Sequence, residues 1–249
     1  MNAVSRTLYI PLYGKALVSR QGKILNDPSA EAIWAKEGFA LHAKARSKWL
    51  AYFMGMRSAV IDQWTQNRLT DDTLVLHLGC GLDARCERVA RKGRWYDVDL
   101  PEVIEVRKQH FSETANYYML GADLTAEEWL DALPQSQRAV VVMEGVSMYL
   151  PQDALFQLCT RLKTRFAELE LILDAYTSLA VHLSNRGNPI RTVGAQACTG
   201  LDNPHAVPLE FVQQLSMTPE DLIAQLKRSE RFLFRHVYEG RMAAALYRL

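Results

Sequence analysis

The chain has few cysteines, and their spacing matches no common metal site. Its 249 residues include four cysteines, with no Cys-x-x-Cys pair and no His/Cys cluster at metal-ligating spacing. This pattern indicates reduced thiols, so we expect a cytoplasmic protein without a bound metal. Long apolar runs are also missing, because the most apolar stretch, 139–150, is too short for a membrane span and contains Glu144. Pro11 and Lys15 interrupt the apolar N-terminus, which argues against a secretory signal.

An excess of charge of either sign is missing as well. The chain has 29 basic and 28 acidic residues. Balanced charge provides no field that would attract nucleic acid or an anionic membrane, so we expect neither as a partner and place the specificity in a pocket. Apolar residues make up 49% of the chain, which is enough for a sizeable core. The sequence leaves the oligomeric state open.

The sequence does contain a regular alternation of strand and helix patterns from about residue 73. The run 140–143 is continuously apolar, as in a strand that is covered on both faces. The predicted strands are 73–78, 95–100, 117–122, 139–143 and 169–174. Helical periodicity between them predicts an α/β fold, with a doubly wound, mostly parallel, seven-stranded sheet and right-handed crossovers.

The C-terminal region departs from this alternation. A helix is predicted from Thr218 to about Arg228, because Thr218 and Pro219 form a helix-start signal. Two strands, 232–238 and 243–247, are predicted after it, separated only by Glu239-Gly240-Arg241-Met242. So short a connection requires an antiparallel hairpin, since parallel neighbours need a long crossover.

Two segments lie outside the predicted sheet. Residues 1–70 show helical patterns without strand alternation, and residues 176–215 form an irregular insert with several glycines and prolines. Long connections of this kind often serve as lids. We therefore predict one domain over 1–249, with a helical N-terminal cap at 1–70, a core at 71–175 and 216–249, and a lid or substrate insert at 176–215.

A glycine-rich turn follows the first predicted strand. Gly79 permits a tight turn and Gly81 lets a ligand approach the backbone. With Ala84 the turn also fits the G-x-G-x-x-A pattern of dinucleotide-binding proteins. On its own the turn therefore leaves three readings open: a dinucleotide site, another nucleoside site, or a structural turn.

Acidic residues near the strand ends favour a nucleoside ligand without phosphates over a dinucleotide. Asp83 lies inside the turn, and further acids stand at or just past the ends of the other predicted strands: Asp99, Asp123, Glu144 and Asp174. Two like charges at ~4 Å cost about 4 kcal/mol at an effective dielectric of 20, so this edge disfavours a diphosphate. It suits a ligand with ribose hydroxyls, an ammonium and a sulfonium, and S-adenosylmethionine has all three without a phosphate. Any one of these acids could instead cap the following helix.

Asp99 is the main candidate for the ribose. It stands twenty residues after Gly79, at the end of the second predicted strand, where an acid accepts both ribose hydroxyls in nucleotide-binding sheets. Asp97 points to the same strand face and is its rival. Pro101 ends the strand just beyond Asp99, which favours Asp99 as the residue at the rim.

Six ordered segments carry a family resemblance: 26–30, 45–47, 78–85, 95–104, 122–124 and 143–150. Asn26-Asp27-Pro28 and Ala45-Arg46-Ser47 come first, and the glycine turn and the segment around Glu144 follow. Together they resemble the leucine carboxyl methyltransferase family, including its bacterial polyketide-type O-methyltransferase relatives. The resemblance covers roughly residues 8–175.

The resemblance implies a class I methyltransferase fold and S-adenosylmethionine as the cofactor. Within it, Arg46 would bind the cofactor carboxylate, Asp99 the ribose, and Glu144 would lie near the amino-acid end. The residues assigned to the cofactor are Arg46, Gly79, Gly81, Asp99, Asp123, Leu124 and Glu144. The candidates for positioning the acceptor are Lys15, Tyr149 and Arg191.

The expected reaction is methyl transfer to an oxygen, with a carboxylate of a small molecule or of a protein C-terminus as the preferred acceptor. A carboxylate is already ionised at neutral pH, which agrees with the lack of a recognisable His/Asp or Cys/His constellation. His77 is expected in the core, whereas His182 or His205 could act as a base on a phenol. Two alternatives stay open: an NAD-type dinucleotide-dependent oxidoreductase, and a non-catalytic protein with the same fold.

Overall fold

A computed structural model describes residues 5–89, 92–184, 189–239 and 244–249. Its centre is a seven-stranded sheet with the order β3-β2-β1-β4-β5-β7-β6. The strands are β1 (Leu74–Leu78), β2 (Arg94–Asp99), β3 (Tyr117–Gly121), β4 (Arg138–Met143), β5 (Glu168–Tyr176), β6 (Gln213–Leu215) and β7 (Ala244–Arg248). The first five run parallel, and β7 lies antiparallel to both β5 and β6. The predicted doubly wound, mostly parallel sheet with antiparallel C-terminal strands is confirmed.

The two central strands have apolar residues on both faces because helices cover both sides of the sheet. Every residue of β1 is buried, and β4 is buried from Ala139 to Met143. Along β4, Val141 and Met143 join the hydrophobic cluster on one side of the sheet, while Val140 and Val142 join the cluster on the other. Alternate side chains of a strand point to opposite faces, so this strand supplies both halves of the core.

Helices flank the sheet and precede it. They are α1 (Tyr9–Arg20), α2 (Pro28–Glu37), α3 (Lys48–Gln66), α4 (Arg85–Arg88), α5 (Pro101–Arg107), α6 (Gln152–Arg165), α7 (Ser178–Ser184), α8 (Glu220–Ile223) and α9 (Arg228–Leu233). The Asp27 side chain caps α2 by accepting from the Ala30 amide, and Gly38 ends it in the left-handed conformation. No helix in the described ranges is long and apolar enough to cross a membrane.

The N-terminal helices reach the edge of the sheet where the parallel strands end. A short 3-10 helix, Ser5–Leu8, leads into α1, which packs on α2 and α3. Leu8, Ile10 and Leu12 lie in the same hydrophobic cluster as Val75 of β1. The region after β5 holds α7, the 3-10 helices Pro189–Val193 and Pro204–Ala206, and β6. The proposed division into cap, core and insert stays a prediction.

The C-terminal hairpin is the part of the fold that the sequence pattern places wrongly. Residues 232–238 are not a strand: α9 continues into a π-helix, Phe234–Tyr238. The outer partner of β7 is β6, which precedes α8 and α9 in the chain. The predicted helix 218–228 is also shorter, since α8 covers Glu220–Ile223. Of the predicted hairpin turn, residues 240–242 lie outside the described residues.

Candidate active site

A cavity of about 350 Å³ runs along the carboxyl ends of β1 to β5. This is the edge where open α/β sheets bind ligands. Residues from the N-terminal 3-10 helix, α1 and α3 cover it, and Ile190 closes one side. Eight of the candidates from the sequence line it, namely Lys15, Gly79, Gly81, Asp99, Asp123, Leu124, Glu144 and Tyr149. Arg46 and Arg191 do not line it.

The glycine turn after β1 forms the floor of the cavity. Gly79 has φ +66°, and its amide donates to the Val98 carbonyl of β2 at 2.7 Å. A Cβ on Gly79 would overlap the Val146 side chain, so glycine is required both by the backbone conformation and by this contact. Gly81 has φ +51° and donates its amide to Asp99 Oδ2 at 2.7 Å. The turn is therefore fixed by backbone contacts to β2.

Asp99 and Asp97 have different roles, although they share one strand face. Asp99 lines the cavity and accepts backbone amides from Gly81 and Leu100, each at 2.7 Å. Burial raises the pKa of Asp99 to about 6, against the lowering effect of these two amides. Asp97 is fully buried and accepts from Tyr117, Arg107 and Trp95. Only Asp99 of the pair faces the cavity.

The end of β3 contributes Asp123 and Leu124. Asp123 is exposed, and its Oδ1 accepts the Thr125 amide at 2.9 Å and the Thr125 hydroxyl at 2.8 Å. Leu124 is buried and belongs to the cluster under the sheet. This end of the cavity is thus partly polar at the rim and apolar beneath.

Glu144 lines the cavity as a member of a buried group of charges. Its carboxylate accepts from Arg57 at 2.9 Å, from the Ser58 hydroxyl at 2.9 Å and from Arg85. Lys15 Nζ lies 3.3 Å from Glu144 Oε1. Burial acts to raise the pKa of Glu144, but Lys15, Arg57 and Arg85 outweigh it and hold the pKa well below its ordinary value.

The same compensation applies to the other acids at this edge. Asp83 pairs with Lys15 at 2.8 Å, Arg85 at 3.1 Å and Arg88 at 2.8 Å. Asp174 pairs with Arg57 at 2.6 Å. Basic side chains of the protein therefore neutralise three of the five acids at this edge, a compensation that the sequence argument did not include. Within the described residues, no ion pair reaches Asp99 or Asp123.

Arg46 lies away from the cavity in this structure. Its side chain is exposed, with the guanidinium carbon 5.9 Å from the centre of the Tyr13 ring. The dipeptide Arg-Ser also occurs at 228–229 and at Arg57-Ser58 on α3, and in the α3 dipeptide both side chains bind Glu144. Arg57 is 4% exposed and lines the cavity. The structure therefore brings Arg57, and not Arg46, to the cavity, and the Arg-Ser dipeptide is the sequence feature that the two positions share.

Arg191 is exposed on the 3-10 helix Pro189–Val193, whereas its neighbour Ile190 is buried and lines the cavity. Tyr149 lines the cavity from the 3-10 helix Ser147–Tyr149. Burial raises the pKa of the Tyr149 phenol, and the nearby Tyr176 adds to the effect. The phenol therefore stays protonated at neutral pH.

His77 is held as a neutral ring under the cavity. Its Nδ1 lies 3.0 Å from Asp97 Oδ1, and its Nε2 lies 3.0 Å from Arg85 Nη1. A guanidinium can only donate, so Nε2 accepts and the proton is on Nδ1, pointing to Asp97. Burial lowers the pKa of His77. Neither nitrogen is available to take a proton from a substrate.

The sheet order, the antiparallel last strand and the cavity beside a glycine turn define a class I methyltransferase fold. Residues 5–163 match the family model of leucine carboxyl methyltransferases. The chain belongs to the leucine carboxyl methyltransferase family and is an S-adenosylmethionine-dependent methyltransferase. The family and cofactor predicted from the sequence are thereby confirmed.

Two curated relatives match nearly the whole chain. The tetracenomycin polyketide synthesis O-methyltransferase TcmP of Streptomyces glaucescens is 30% identical over 100% of this chain and 97% of its own length. The S-adenosyl-L-methionine-dependent methyltransferase dpfgK of Gibberella zeae is 24% identical over 96% of this chain and 85% of its own length. Each is similar to this chain along most of its length.

Solved structures support the fold independently. A Thermobifida fusca protein assigned as a methyltransferase superposes with a TM-score of 0.59 at 14% identity, covering 96% of this chain and 92% of its own. A DUF574 family protein from Streptomyces avermitilis gives a TM-score of 0.57 at 11% identity, covering 89% and 88%. At such low identity these similarities show the fold alone.

Proposed function

We propose that this protein is an O-methyltransferase whose preferred acceptor is a carboxylate of a small molecule. The observation that carries the proposal is that no free histidine faces the cavity in the described part of the chain, while the two lining carboxylates without an ion pair, Asp99 and Asp123, are assigned to the cofactor. His77 is engaged at both nitrogens, and the pKa of Tyr149 is raised. A carboxylate acceptor has no proton to lose at neutral pH, so it needs no base, whereas a phenol or alcohol does.

The cavity fits S-adenosylmethionine on three observations. Each Asp99 oxygen accepts one backbone amide and keeps a lone pair for a ribose hydroxyl. The backbone at Gly79 and Gly81 carries no side chain that would fill the floor. Leu124 offers an apolar surface and Asp123 a carboxylate for the adenine. We assign Asp99, Gly79, Gly81, Asp123 and Leu124 to cofactor binding.

The amino-acid end of the cofactor would lie at the charged group around Glu144. Lys15 and Arg57 offer donors for its carboxylate, and Glu144 offers an acceptor for its ammonium. In this assignment Arg57 takes the role that the family resemblance gave to Arg46. Lys15 then serves the cofactor as much as the acceptor, and exposed Arg191 is the weakest of the acceptor candidates.

When bound, S-adenosylmethionine supplies a methyl group on a sulfonium, which is open to in-line displacement. The protein's own contribution is alignment and exclusion of water. Apolar side chains of Leu8, Leu12, Met54, Val146 and Met148 line the cavity and keep water away from the reacting atoms. The buried ion pairs hold the glycine turn, α1 and α3 in one arrangement before the ligands arrive.

The proposal is tested by mass-spectrometric detection of methylated products from matched acceptors. We would compare 1-naphthoate, 1-naphthol and a leucine-ended peptide across pH 6.5–9. The expected result is ester formation from the acid at a rate that stays level with pH. Methylation of the naphthol alone, with a rate that rises with pH, would contradict the carboxylate assignment. Methylation of the peptide alone would contradict the small-molecule assignment.

Two further controls address the alternatives. Thermal shift with S-adenosylhomocysteine and with NAD distinguishes the methyltransferase from a dinucleotide-dependent enzyme, because a ligand at 100 times its dissociation constant adds about 2.7 kcal/mol of stability. Binding of S-adenosylhomocysteine without turnover of any acceptor would indicate a non-catalytic protein.

A further inference from the structure

Tyr176 occupies the end of the cavity opposite Asp123. It is the last residue of β5, it is half-buried, and it lines the cavity. Along β5 it shares a face with Asp174, because side chains two residues apart point the same way. Asp174 binds Arg57 from that face. The Tyr176 phenol is close enough to Arg57 and Tyr149 to interact with both electrostatically.

The order of the strands separates this end from the cofactor. Moving from β2 to β5 crosses β1 and β4, which is three steps in the sheet. Strands lie about 4.8 Å apart, so the β5 end is ~14 Å from the β2 end that carries Asp99. With the ribose at Asp99 and the amino-acid end at Glu144 on β4, the cofactor covers β2, β1 and β4. The space beside β5 is left for the acceptor.

The side chains around the space beside β5 are mainly aromatic or apolar. Tyr176, Tyr149, Met148 and Ile190 present rings and apolar chains. Arg57 lies beside them. Its Nη groups bind Asp174 and Glu144 and are assigned to the cofactor above, whereas its buried Nε has no hydrogen-bond partner among the described residues and is the donor left for a second carboxylate. Rings favour stacked or edge contacts with another aromatic ring, and a guanidinium is the usual partner of a carboxylate.

We propose that Tyr176 is a specificity-determining residue that selects planar aromatic carboxylates by packing its ring against the ring of the acceptor. This inference rests on the proposed function, since it places the acceptor beside a bound cofactor. In this proposal Tyr176 contacts the acceptor but takes no part in the methyl-transfer reaction.

The position of Tyr176 is fixed by the segment that follows β5. The Leu201 amide donates to the Tyr176 carbonyl at 2.7 Å, and the Ser178 amide donates to Asp202 Oδ1 at 2.9 Å. On its other side the strand pairs with β7, with Tyr176 opposite Ala244. Because the backbone that carries the ring is fixed, it does not have to become ordered when a rigid acceptor binds, which lowers the entropic cost of binding.

The test measures binding, so it does not require turnover. Isothermal titration would give the affinity of 1-naphthoate for the protein saturated with S-adenosylhomocysteine. The expected effect of Tyr176→Leu is at least a tenfold loss of naphthoate affinity, while Tyr176→Phe stays within threefold because the ring is kept. Affinity for S-adenosylhomocysteine should change less than twofold in both. Tyr176→Met serves if the leucine variant does not fold.

Tyr118→Leu is the matched control. Tyr118 is a half-buried tyrosine on β3, stacked on Tyr96 with ring centroids 4.7 Å apart, and it does not line the cavity. The Tyr118→Leu variant should keep its affinities for naphthoate and for S-adenosylhomocysteine within twofold of those of the wild type. The proposal is overturned if the wild-type complex does not bind naphthoate, if Tyr176→Leu leaves that binding unchanged, or if the variant weakens S-adenosylhomocysteine equally. Failure of the proposed function is a separate result: naphthoate binds as expected but is not methylated.

Discussion

Lys15 Nζ lies 2.8 Å from Asp83 Oδ2 and joins α1 directly to the glycine turn after β1. Both side chains are buried, 3% and 8% exposed. A second contact, 3.3 Å to Glu144 Oε1, ties the same ammonium to the end of β4. One lysine therefore links the helix that covers the cavity to two of the loops that form its floor.

Replacing this lysine should be costly to stability. We expect Lys15→Met to lower the free energy of unfolding by about 3 kcal/mol, because it leaves two buried carboxylates without one of their cations. Urea denaturation followed by circular dichroism measures it. The matched control is Lys108→Met, whose ion pair with Glu105 is exposed and should contribute less than about 0.5 kcal/mol. Equal effects in the two variants would contradict the argument.

Two glycines with similar backbone angles allow the steric contact at the turn to be isolated. Gly79 and Gly38 have φ +66° and +57°, but a Cβ at Gly38 would meet nothing within 4 Å, whereas at Gly79 it would overlap Val146. We expect Gly38→Ala to cost about 1 kcal/mol, from the left-handed conformation alone. Gly79→Ala should cost more and abolish binding of S-adenosylhomocysteine. Val146→Ala in the same chain should recover part of the stability.

The carboxyl of Asp99 should make cofactor affinity depend on pH. Its pKa is raised by burial to about 6, above the ordinary 3.8. In the free protein, its contribution to stability is therefore present below about pH 4 and is lost as pH rises through 6, since the native state holds the proton longer. Ribose hydroxyls favour the carboxylate, so affinity should rise over the same interval.

Isothermal titration with S-adenosylhomocysteine between pH 5 and 8 measures this dependence. Asp99→Asn should weaken binding at least tenfold at pH 8 and lose the increase around pH 6. Asp97→Asn is unsuitable as a control because Asp97 joins Arg107, Tyr117 and Trp95 in the core. Asp72→Asn, at an exposed residue before β1, is the better choice and should retain the wild-type profile.

The Arg-Ser dipeptides at 46–47 and 57–58 provide a direct comparison. Arg57→Met should reduce methyl transfer at least 100-fold, because Glu144 and Asp174 lose a shared buried partner and the cofactor loses a donor. Arg46→Met should retain affinity for S-adenosylhomocysteine within about threefold, since Arg46 is exposed beside Tyr13. A larger loss in the Arg46 variant would restore the assignment made from the resemblance.

The five parallel strands could be predicted from the sequence because each combines an apolar run with a signal at its end. Residues 74–78 and 139–143 are buried on both faces, and Pro101 and the glycine turn mark where the chain leaves the sheet. Since the strands are parallel, their ends share one edge, so the acids near those ends could be placed together. Asp99 and Glu144 were found at the cavity by this argument.

The remaining parts depend on contacts that local patterns do not contain. Residues 232–238 are rich in aromatic and other apolar side chains, yet only Phe234 is buried there, while Phe232 and Leu233 are exposed on a helix. The neutralisation of Glu144 depends on Lys15 and Arg57, far away in the chain. Such partners become neighbours only when the N-terminal helices fold over the sheet.

Gly200 has a consequence for how acceptor preference can change. A methyl group at this position would lie 2.5 Å from the Ser178 backbone. The chain around residue 200 therefore packs against the chain just after β5 with no room for a side chain. In Gly200→Ala the added methyl group would clash with the Ser178 backbone and push the segment around residue 200 away from the end of β5 at Tyr176. Under the proposed placement of the acceptor beside Tyr176, a substitution outside the cavity would then widen the acceptor space.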